Sequence, residues 1–247
     1  MKRLLFIFLL LCNYFLFTSC SGPAPASKIT DISQVKADID IYQSLSNEKD
    51  NSVSVILYDQ KGKEIGSDSI IVWVNQKKTE YKVMQHLYYS KNYYYRIENI
   101  LPENKQYTLD IQLKNGKKIF LGSASTIQLS NPKNIISTQE ASRDEDFPIS
   151  WSNLHEVNTL YISKSFKIKN DKEPNIQTFI EEPGDTIKIN ADGNYIIGKE
   201  QLSQRGKRLS KIGFKFTAQK EGVINPRLLK GSYVKIYGYH EKWISFK

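Results

Sequence analysis

The chain has 247 residues, of which 40% are hydrophobic and 25% charged, and its formal net charge at pH 7 is +9. The apolar share is enough to build buried cores, which excludes disorder as the default state, and the length predicts one large domain or two ordinary ones. The basic balance permits weak attraction to phosphate-rich headgroups or acidic glycans.

The N-terminus has the pattern of an export signal. Lys2 and Arg3 precede residues 4–12, which contain no polar side chain. Two positive charges before a short apolar run form the n- and h-regions of a signal peptide. A membrane-spanning helix needs about 20 apolar residues, and this run is shorter. The sequence therefore predicts a signal peptide at residues 1–19, and export argues against a nucleic-acid partner.

The apolar run ends at Phe17-Thr18-Ser19-Cys20, where small residues precede a cysteine. This stretch resembles the lipobox of bacterial lipoproteins. The resemblance implies cleavage before Cys20, a diacylglycerol on its sulfur and an acyl chain on its new amine. Cys12 leaves with the signal, so lipidation accounts for the one cysteine that remains. Because each buried methylene contributes roughly 0.8 kcal/mol, two or more acyl chains hold a protein firmly on a membrane.

Residues 20–30 are predicted to be a tether, because small residues with Pro23 and Pro25 cannot build a core. By resemblance to lipoprotein sorting, Ser21 implies the outer membrane. The stretch from Ser21 to Lys28 lacks the acidic residues that often follow the cysteine in surface-displayed lipoproteins of Bacteroidetes. We expect the body to face the periplasm, with surface display as the alternative.

Alternation of apolar and polar residues predicts strands throughout residues 31–130. The segment 79–84 is expected to pair back on 69–75, and Asn115-Gly116 is expected to form a hairpin turn. About seven short strands with regular turns indicate a β-sandwich. The predicted strands are 35–41, 52–58, 69–75, 79–84, 93–97, 107–113 and 117–122.

Residues 148–247 are also predicted to be mostly β. A hairpin is expected around residues 191–193, and 199–209 is the one short helix predicted. The predicted strands are 148–151, 159–168, 186–189, 194–197, 212–218, 232–239 and 242–246. The segment 131–147 is poor in apolar pattern and is predicted to be a linker.

Two local sequences resemble those of immunoglobulin-like and fibronectin type III domains. Leu101-Pro102 followed by Tyr107 resembles the tyrosine corner, with spacing one residue longer, which implies a hydroxyl bonded to an upstream backbone group. Ile149-x-Trp151 resembles a strand whose tryptophan fills the sandwich centre. The whole chain resembles tandem Ig-like lipoproteins of Bacteroidetes. The fold class implied is all-β, with two tandem Ig-like or fibronectin type III-like sandwiches at 31–130 and 148–247.

No catalytic motif is found in the sequence. The three histidines, His86, His155 and His240, lack the spacing of metal ligands, and a lipidated Cys20 cannot serve a thiolate zinc site. There is no Gly-x-Ser-x-Gly elbow and no glycine-rich phosphate loop after a strand. The sequence therefore predicts no metal, no cofactor and no enzymatic activity.

Carboxylates keep one enzymatic alternative open, because a glycoside hydrolase needs only two of them about 5–10 Å apart. Asp38 and Asp40 share one strand face, which is predicted to be the solvated face of an edge strand. Glu181, Glu182 and Asp185 surround a predicted turn.

The densest aromatic sequence is a candidate ligand or partner patch. Consecutive tyrosines on a strand point to opposite faces, so some of these rings should be exposed or cover a domain seam. Exposed rings stack on sugars or anchor protein partners. The patch comprises Trp73, Tyr88, Tyr89, Tyr93, Tyr94 and Tyr95.

A candidate basic patch comprises Lys199, Arg205, Lys207, Arg208 and Lys211. Such a patch would attract lipopolysaccharide phosphates or an acidic partner, and a solvated loop or helix face is the alternative.

Four functional hypotheses follow for this envelope protein. The first is a non-enzymatic binding or assembly module with a protein partner, and the second is a glycan-binding accessory of polysaccharide capture. The third is a fimbrial subunit or anchor that uses strand addition, with an unpaired sheet edge next to residues 242–246. The fourth is a carboxylate-based hydrolase.

Overall fold

The computed structural model describes residues 22–85, 91–138, 140–168, 178–204 and 207–247. The predictions made for the signal peptide and for Cys20, Tyr88, Tyr89 and Arg205 therefore lie outside the described residues. Within the described ranges, no helix is long and apolar enough to cross a membrane.

The described elements are almost all strands. They are β1 (Lys36–Ser44), β2 (Ser52–Tyr58), β3 (Ile71–Val74), β4 (Lys77–Lys78), β5 (Glu80–Gln85), β6 (Lys91–Glu98), β7 (Gln106–Gln112), β8 (Lys118–Ser125), β9 (Ile135–Ile136), β10 (Glu140–Ala141), β11 (Phe147–Trp151), β12 (Thr159–Ile168), β13 (Thr178–Lys188), β14 (Gly193–Ile197), β15 (Ser203–Gln204), β16 (Lys207–Glu221), β17 (Val223–Ile224) and β18 (Tyr233–Phe246). A short helix, α1, spans Lys199–Leu202. The all-β class is confirmed, whereas the helix predicted at 199–209 is wrong beyond its first turn.

The strands form one long sheet and two smaller sheets. The long sheet has ten strands in the order β13-β12-β16-β18-β1-β2-β6-β5, with β10 beside β18 and β15 beside β16. The smaller sheets have the orders β14-β11-β9 and β17-β8-β7-β3-β4.

Both smaller sheets pack on the same face of the long sheet, which we call the inner face. Trp151 of β11 meets Phe216 of β16 edge to face, with ring centroids 5.6 Å apart. Gly122 of β8 lies so close to Val234 of β18 that an added Cβ would come within 2.6 Å of that side chain. Burial of these alternate side chains provides the main stabilisation of a sandwich, and the buried apolar side chains form one cluster.

The long sheet is continuous across the two predicted sandwiches. β1 and β18 pair in parallel, from Asp38 opposite Tyr233 to Ser44 opposite Tyr239. In addition, β17 pairs with β8 of the first predicted sandwich. The first and last long strands therefore share one hydrogen-bonded ladder, and the division into two domains stays a prediction.

The segment 131–147, predicted as a linker, contributes β9, β10 and the first residue of β11. β9 pairs with β11, and β10 pairs with the C-terminal end of β18. Ile135 and Phe147 are buried in the core. Arg143 donates from Nε to the Leu209 carbonyl and from Nη2 to the Phe246 carbonyl, both at 2.9 Å.

Two predicted strand pairings are wrong because the chain crosses between sheets at those points. β3 pairs with β4, and the Thr79 N–H then donates to the Val72 carbonyl at 2.9 Å before the chain enters β5 of the long sheet. Likewise β14 pairs with β11 and not with β13. Trp151 anchors that crossing, since its Nε1 donates to the Asn190 carbonyl at 2.9 Å and its ring lies against Gly193.

The hairpin predicted at Asn115-Gly116 is confirmed, because β7 and β8 are antiparallel around it and Gly116 has a φ of 80°. Glycine adopts that left-handed conformation without a steric penalty.

Tyr107 is fully buried, but within the described part of the chain its hydroxyl bonds no upstream backbone group, contrary to what the tyrosine-corner resemblance implies. It accepts from Nδ2 of Asn51 at 2.9 Å, and Oδ1 of Asn51 accepts from the Ser44 N–H at 2.9 Å. The side chain of Asn51 thus connects β7 to the end of β1.

His240 is a buried histidine on the inner face of β18, only 7% exposed and opposite Phe216. Its Nδ1 is buried and has no hydrogen-bond partner among the described residues. Burial lowers the pKa of His240, and the Lys242 charge lowers it further. The folded protein therefore favours the neutral ring.

We expect stability to fall on acidification because of His240. The unfolded chain takes up this proton near its ordinary pKa of about 6.5, whereas the folded chain does so only at lower pH. The stabilisation is therefore present above that value and is lost as pH falls toward the lowered folded pKa. Urea midpoints at about pH 7.5 and about pH 5 should differ less in His240→Gln than in the wild type. The exposed-histidine variant His155→Gln should retain the wild-type difference, and an unchanged difference in His240→Gln would contradict the assignment.

Candidate functional site

The face of the long sheet opposite the smaller sheets, here the outer face, carries a row of aromatic side chains. Along β18 the odd-numbered residues point outward, and four of them are Tyr233, Tyr237, Tyr239 and Trp243. The even-numbered residues, such as Ile236, are mostly buried because successive side chains of a strand point to opposite faces. The position of β18 within the long sheet therefore places these four rings on the solvent side.

Tyr42 of β1 adds a fifth ring to this row. It lies directly opposite Tyr237, and the two rings stack with centroids 5.5 Å apart and planes 19° apart. Tyr42 is 38% exposed and Trp243 is 46% exposed, so these two rings remain accessible to a ligand. We call Tyr42, Tyr233, Tyr237, Tyr239 and Trp243 the aromatic face.

A groove of about 370 Å³ runs beside the Tyr42–Tyr237 stack. Two cross-strand rows of outward side chains form it. One row is Tyr42, Tyr237 and Gln219, and the other is Tyr239, Thr217, Thr159 and Lys188. Asn158, Lys215, Ala218 and Gly238 complete the lining. The groove therefore combines aromatic rings with hydroxyl, amide and ammonium groups, and it crosses the strands.

Asp40 is the charged group closest to the stacked tyrosines within β1. Burial raises the pKa of Asp40, the neighbouring Asp38 carboxylate raises it further, and Lys235 opposes both effects. Burial also raises the pKa of Tyr42 and Tyr237, and Asp40 adds to the increase for both. The two tyrosine hydroxyls are therefore protonated at neutral pH, and that of Tyr237 is hydrogen-bonded with Asp40.

Two lysines on the outer face lie over tyrosine rings. The ammonium group of Lys235 lies 4.8 Å from the ring centroid of Tyr233, and that of Lys215 lies 5.5 Å from the ring centroid of Tyr239. Both distances are within the range of a cation–π interaction, so each lysine is held close to the plane of the aromatic face.

The carboxylates proposed for hydrolysis lie in different settings. β1 lies between β18 and β2, so the prediction that Asp38 and Asp40 belong to an edge strand is wrong. Nζ of Lys36 lies 3.0 Å from Oδ1 of Asp38 in an ion pair. Glu181, Glu182 and Asp185 lie within β13 and pair with β12, so the turn predicted there is wrong. Glu182 accepts from Nζ of Lys207 at 2.8 Å. Across the described residues, no group of three or more His, Cys, Asp or Glu side chains is placed to hold a metal ion.

The predicted aromatic patch is divided between two sheets. Tyr95 is buried on the inner face, where its hydroxyl donates to the Ser67 carbonyl at 2.9 Å. Tyr93 shares that face, and Tyr94 points to the outer face with partial exposure. Trp73 lies on β3 of the five-stranded sheet, with Nζ of Lys118 5.0 Å from its ring centroid.

The described members of the predicted basic patch have different partners. Lys207 is paired with Glu182, and it lies 5.7 Å from the ring centroid of Phe166. Arg208 and Lys211 are exposed on β16, and Lys199 begins α1, where its backbone N–H donates to Asp146. Their action as one patch stays a prediction.

The aromatic face was missed by sequence reasoning, although β18 contains a signal for it. Aromatic side chains recur at even spacings through residues 233–243, alternating with apolar or small residues at 234, 236 and 238. That pattern predicts a strand with one aromatic face. The sequence could not show that Tyr42 lies beside this strand, because the β1–β18 pairing joins opposite ends of the chain.

Comparison with known proteins identifies no family. No protein-family model and no curated protein matches the chain. A cytokine receptor complex is 9% identical over 73% of this chain and 91% of that chain, with a TM-score of 0.27. SGBP-B of the Bacteroides ovatus mixed-linkage glucan utilization locus, solved with a mixed-linkage heptasaccharide, is 12% identical over 80% of this chain and 52% of that chain, with a TM-score of 0.22. InvD of Yersinia pseudotuberculosis is 9% identical over 87% of this chain and 70% of that chain, with a TM-score of 0.25.

Likenesses with such low TM-scores carry no argument about function. The structure itself defines an all-β protein with one continuous long sheet and a solvent-facing aromatic row.

Proposed function

We propose that the protein is a non-enzymatic glycan-binding module of the bacterial cell envelope. The observation that carries this proposal is the stacked pair Tyr42–Tyr237 beside a groove on the outer face. Sugar rings present flat C–H faces that stack on exposed aromatic rings, and their hydroxyls need hydrogen-bond partners at the same site.

The composition of the groove favours a glycan over a protein partner. Beside the rings, the lining contains Asn158, Thr159, Thr217 and Gln219, and the one apolar aliphatic residue of the lining is Ala218. The fully buried core of a protein interface is dominated by apolar contacts. Amide and hydroxyl side chains beside aromatic rings suit a ligand whose surface is covered with hydroxyl groups.

The aromatic pair is tested by the double variant Tyr42→Ala/Tyr237→Ala. Its affinity for a retained polysaccharide should fall roughly tenfold to hundredfold, because ring contacts at the centre of a site carry most of the binding energy. The measurement is affinity gel electrophoresis of residues 22–247 against a panel of neutral and acidic polysaccharides, followed by titration calorimetry with a retained one.

A matched control comes from Phe120 on β8, which is 38% exposed, as is Tyr42, but lies on the five-stranded sheet. Phe120→Ala should bind like the wild type. Wild-type affinity in the double tyrosine variant, or no retention by any polysaccharide, would refute the glycan proposal. Release of new reducing ends during incubation would refute its non-enzymatic part.

The lipid anchor is proposed to be at Cys20, with the outer membrane as the location. The tether predicted at residues 20–30 is wrong for its described part, because Ala24, Ala26 and Ile29 are buried in the core and the Ala24 N–H donates to the Glu64 carbonyl at 2.8 Å. Cys20→Ser should give a protein that is either unprocessed or released from membranes, because the sulfur that takes the diacylglycerol is absent. Metabolic labelling with a fatty acid and membrane fractionation measure both effects. A cleaved variant that stays on the membrane would contradict the anchor.

Assembly with a protein partner is the second candidate function, and the ends of the long sheet favour it. β5 and β13 are the terminal strands of that sheet among the described residues, and Val83 and Met84 of β5 are exposed. Exposed edges accept an added strand. By contrast, an unpaired edge was expected next to residues 242–246, and there residues 245–246 pair with β10. A stoichiometric partner recovered from detergent-solubilised envelopes, with no polysaccharide retained, would favour assembly.

A further inference from the structure

The groove beside the aromatic pair has an uneven distribution of charge. Lys188 and Lys215 line it, and its lining contains no aspartate or glutamate. Lys188 belongs to β13 and Lys215 to β16, so the two ammonium groups come from separate strands on the same face. Neither lysine forms an ion pair with another of the described residues.

The carboxylates of this part of the sheet lie one row beyond the groove. Asp40 is opposite Lys235 in the row on one side, and Glu241 is opposite Lys215 in the row on the other. The rows of Tyr42–Tyr237–Gln219 and Tyr239–Thr217–Thr159 contain no acidic side chain. Lys215 has Glu241 opposite it, whereas Lys188 is opposite Thr159 and has no carboxylate there. Two ammonium groups beside one flanking carboxylate leave the groove with a net positive charge, which favours an anionic ligand.

The direction of the groove indicates the form of that ligand. It runs from Tyr42 on β1 across β18, β16 and β12 to Lys188 on β13. With neighbouring strands about 4.8 Å apart, these four steps span about 19 Å. Such a length suits an extended oligomer that contacts the tyrosines at one end and Lys188 at the other.

We infer that the groove binds acidic polysaccharide, with carboxylate or sulfate groups of the chain paired to Lys188 and Lys215 while its sugar rings stack on Tyr42 and Tyr237. This inference rests on the proposed glycan-binding function and specifies its ligand class. Ammonium groups that approach an anionic group form charge-assisted hydrogen bonds, which are stronger than neutral ones. A neutral chain of the same backbone would leave both lysines unpaired and should bind more weakly.

The test uses matched pairs of polymers that share a backbone and differ in charge. The pairs are polygalacturonate with its methyl ester, dextran sulfate with dextran, and carboxymethyl-glucan with the parent glucan. In titration calorimetry the wild-type protein should bind the acidic member of at least one pair more tightly. Lys188→Gln/Lys215→Gln should reduce that affinity about tenfold and reduce the affinity for the neutral member by a smaller factor, so that the preference for the acidic member is lost.

The control Lys61→Gln/Lys114→Gln removes the same charge from two exposed turns away from the groove. Equal losses in the two double variants would show attraction by overall charge and would overturn the inference. Equal or tighter binding of the neutral members would overturn it while the glycan-binding function stands. Absence of binding to either member of every pair, and to the wider polysaccharide panel, would refute the proposed function itself.

Discussion

Trp151→Ala is expected to lower the free energy of unfolding by about 3–5 kcal/mol. Trp151 is 6% exposed, and its ring meets Phe216 edge to face with centroids 5.6 Å apart. Its Nε1 also donates to the Asn190 carbonyl at 2.9 Å, and its ring covers Gly193. Alanine would leave a large cavity between the sheets and an unpaired carbonyl, so packing and hydrogen bonding are both lost.

The matched control is Trp243→Ala on the outer face. Trp243 is 46% exposed, so its loss should change the free energy of unfolding by less than about 1 kcal/mol. Guanidinium unfolding followed by far-ultraviolet circular dichroism measures both variants. Equal destabilisation by the two substitutions would contradict the assignment of Trp151 to the core and of Trp243 to the solvent face.

Residue alternation predicted the strands because it reports directly on burial. β2 and β12 begin and end at the predicted residues, 52–58 and 159–168. In β2, Val53, Val55 and Leu57 are buried and the residues between them are only partly so. One face of a strand meets the core and the other meets solvent, and side-chain hydrophobicity follows that division.

The pairing of strands could not be predicted in the same way. Alternation identifies the buried face of residues 79–84 but not the sheet that they join. The buried Thr79, bonded to the Val72 carbonyl, directs the chain from the five-stranded sheet to the long sheet. The same limit applies to residues 194–197, whose partner β11 is set by contacts of Trp151.

The candidate site shows why proximity in sequence was a poor guide to proximity on the surface. The tyrosines at 93–95 are consecutive, so the alternation of the strand places Tyr95 in the core and Tyr94 on the outer face. The aromatic face instead collects residues two or more apart on β18, with Tyr42 added by the parallel β1–β18 pairing. Long-range pairing of this kind leaves no local pattern in the sequence.

The shared sheet predicts that the two sandwiches unfold together. Two single-tryptophan proteins provide reporters, one retaining Trp73 on β3 and the other retaining Trp151 on β11. Because β1 and β18 belong to one ladder and the buried side chains form one cluster, the fluorescence midpoint of each reporter protein should coincide with the circular dichroism midpoint of the same protein. The two proteins themselves will differ in stability, since the first lacks Trp151. Fluorescence and far-ultraviolet circular dichroism during urea unfolding measure the two midpoints of each protein.

Ile236→Ala extends this test to the seam itself. Ile236 is fully buried on β18, opposite Ile41 of β1, and its truncation should cost about 2–5 kcal/mol. Both reporter midpoints should fall by the same amount. Ile149→Ala, a buried substitution within β11, should also lower the Trp73 midpoint, because a cooperative unit transmits any loss of stability to all its parts. If Ile149→Ala leaves the Trp73 midpoint unchanged, residues 31–130 fold as an independent domain despite the continuous sheet.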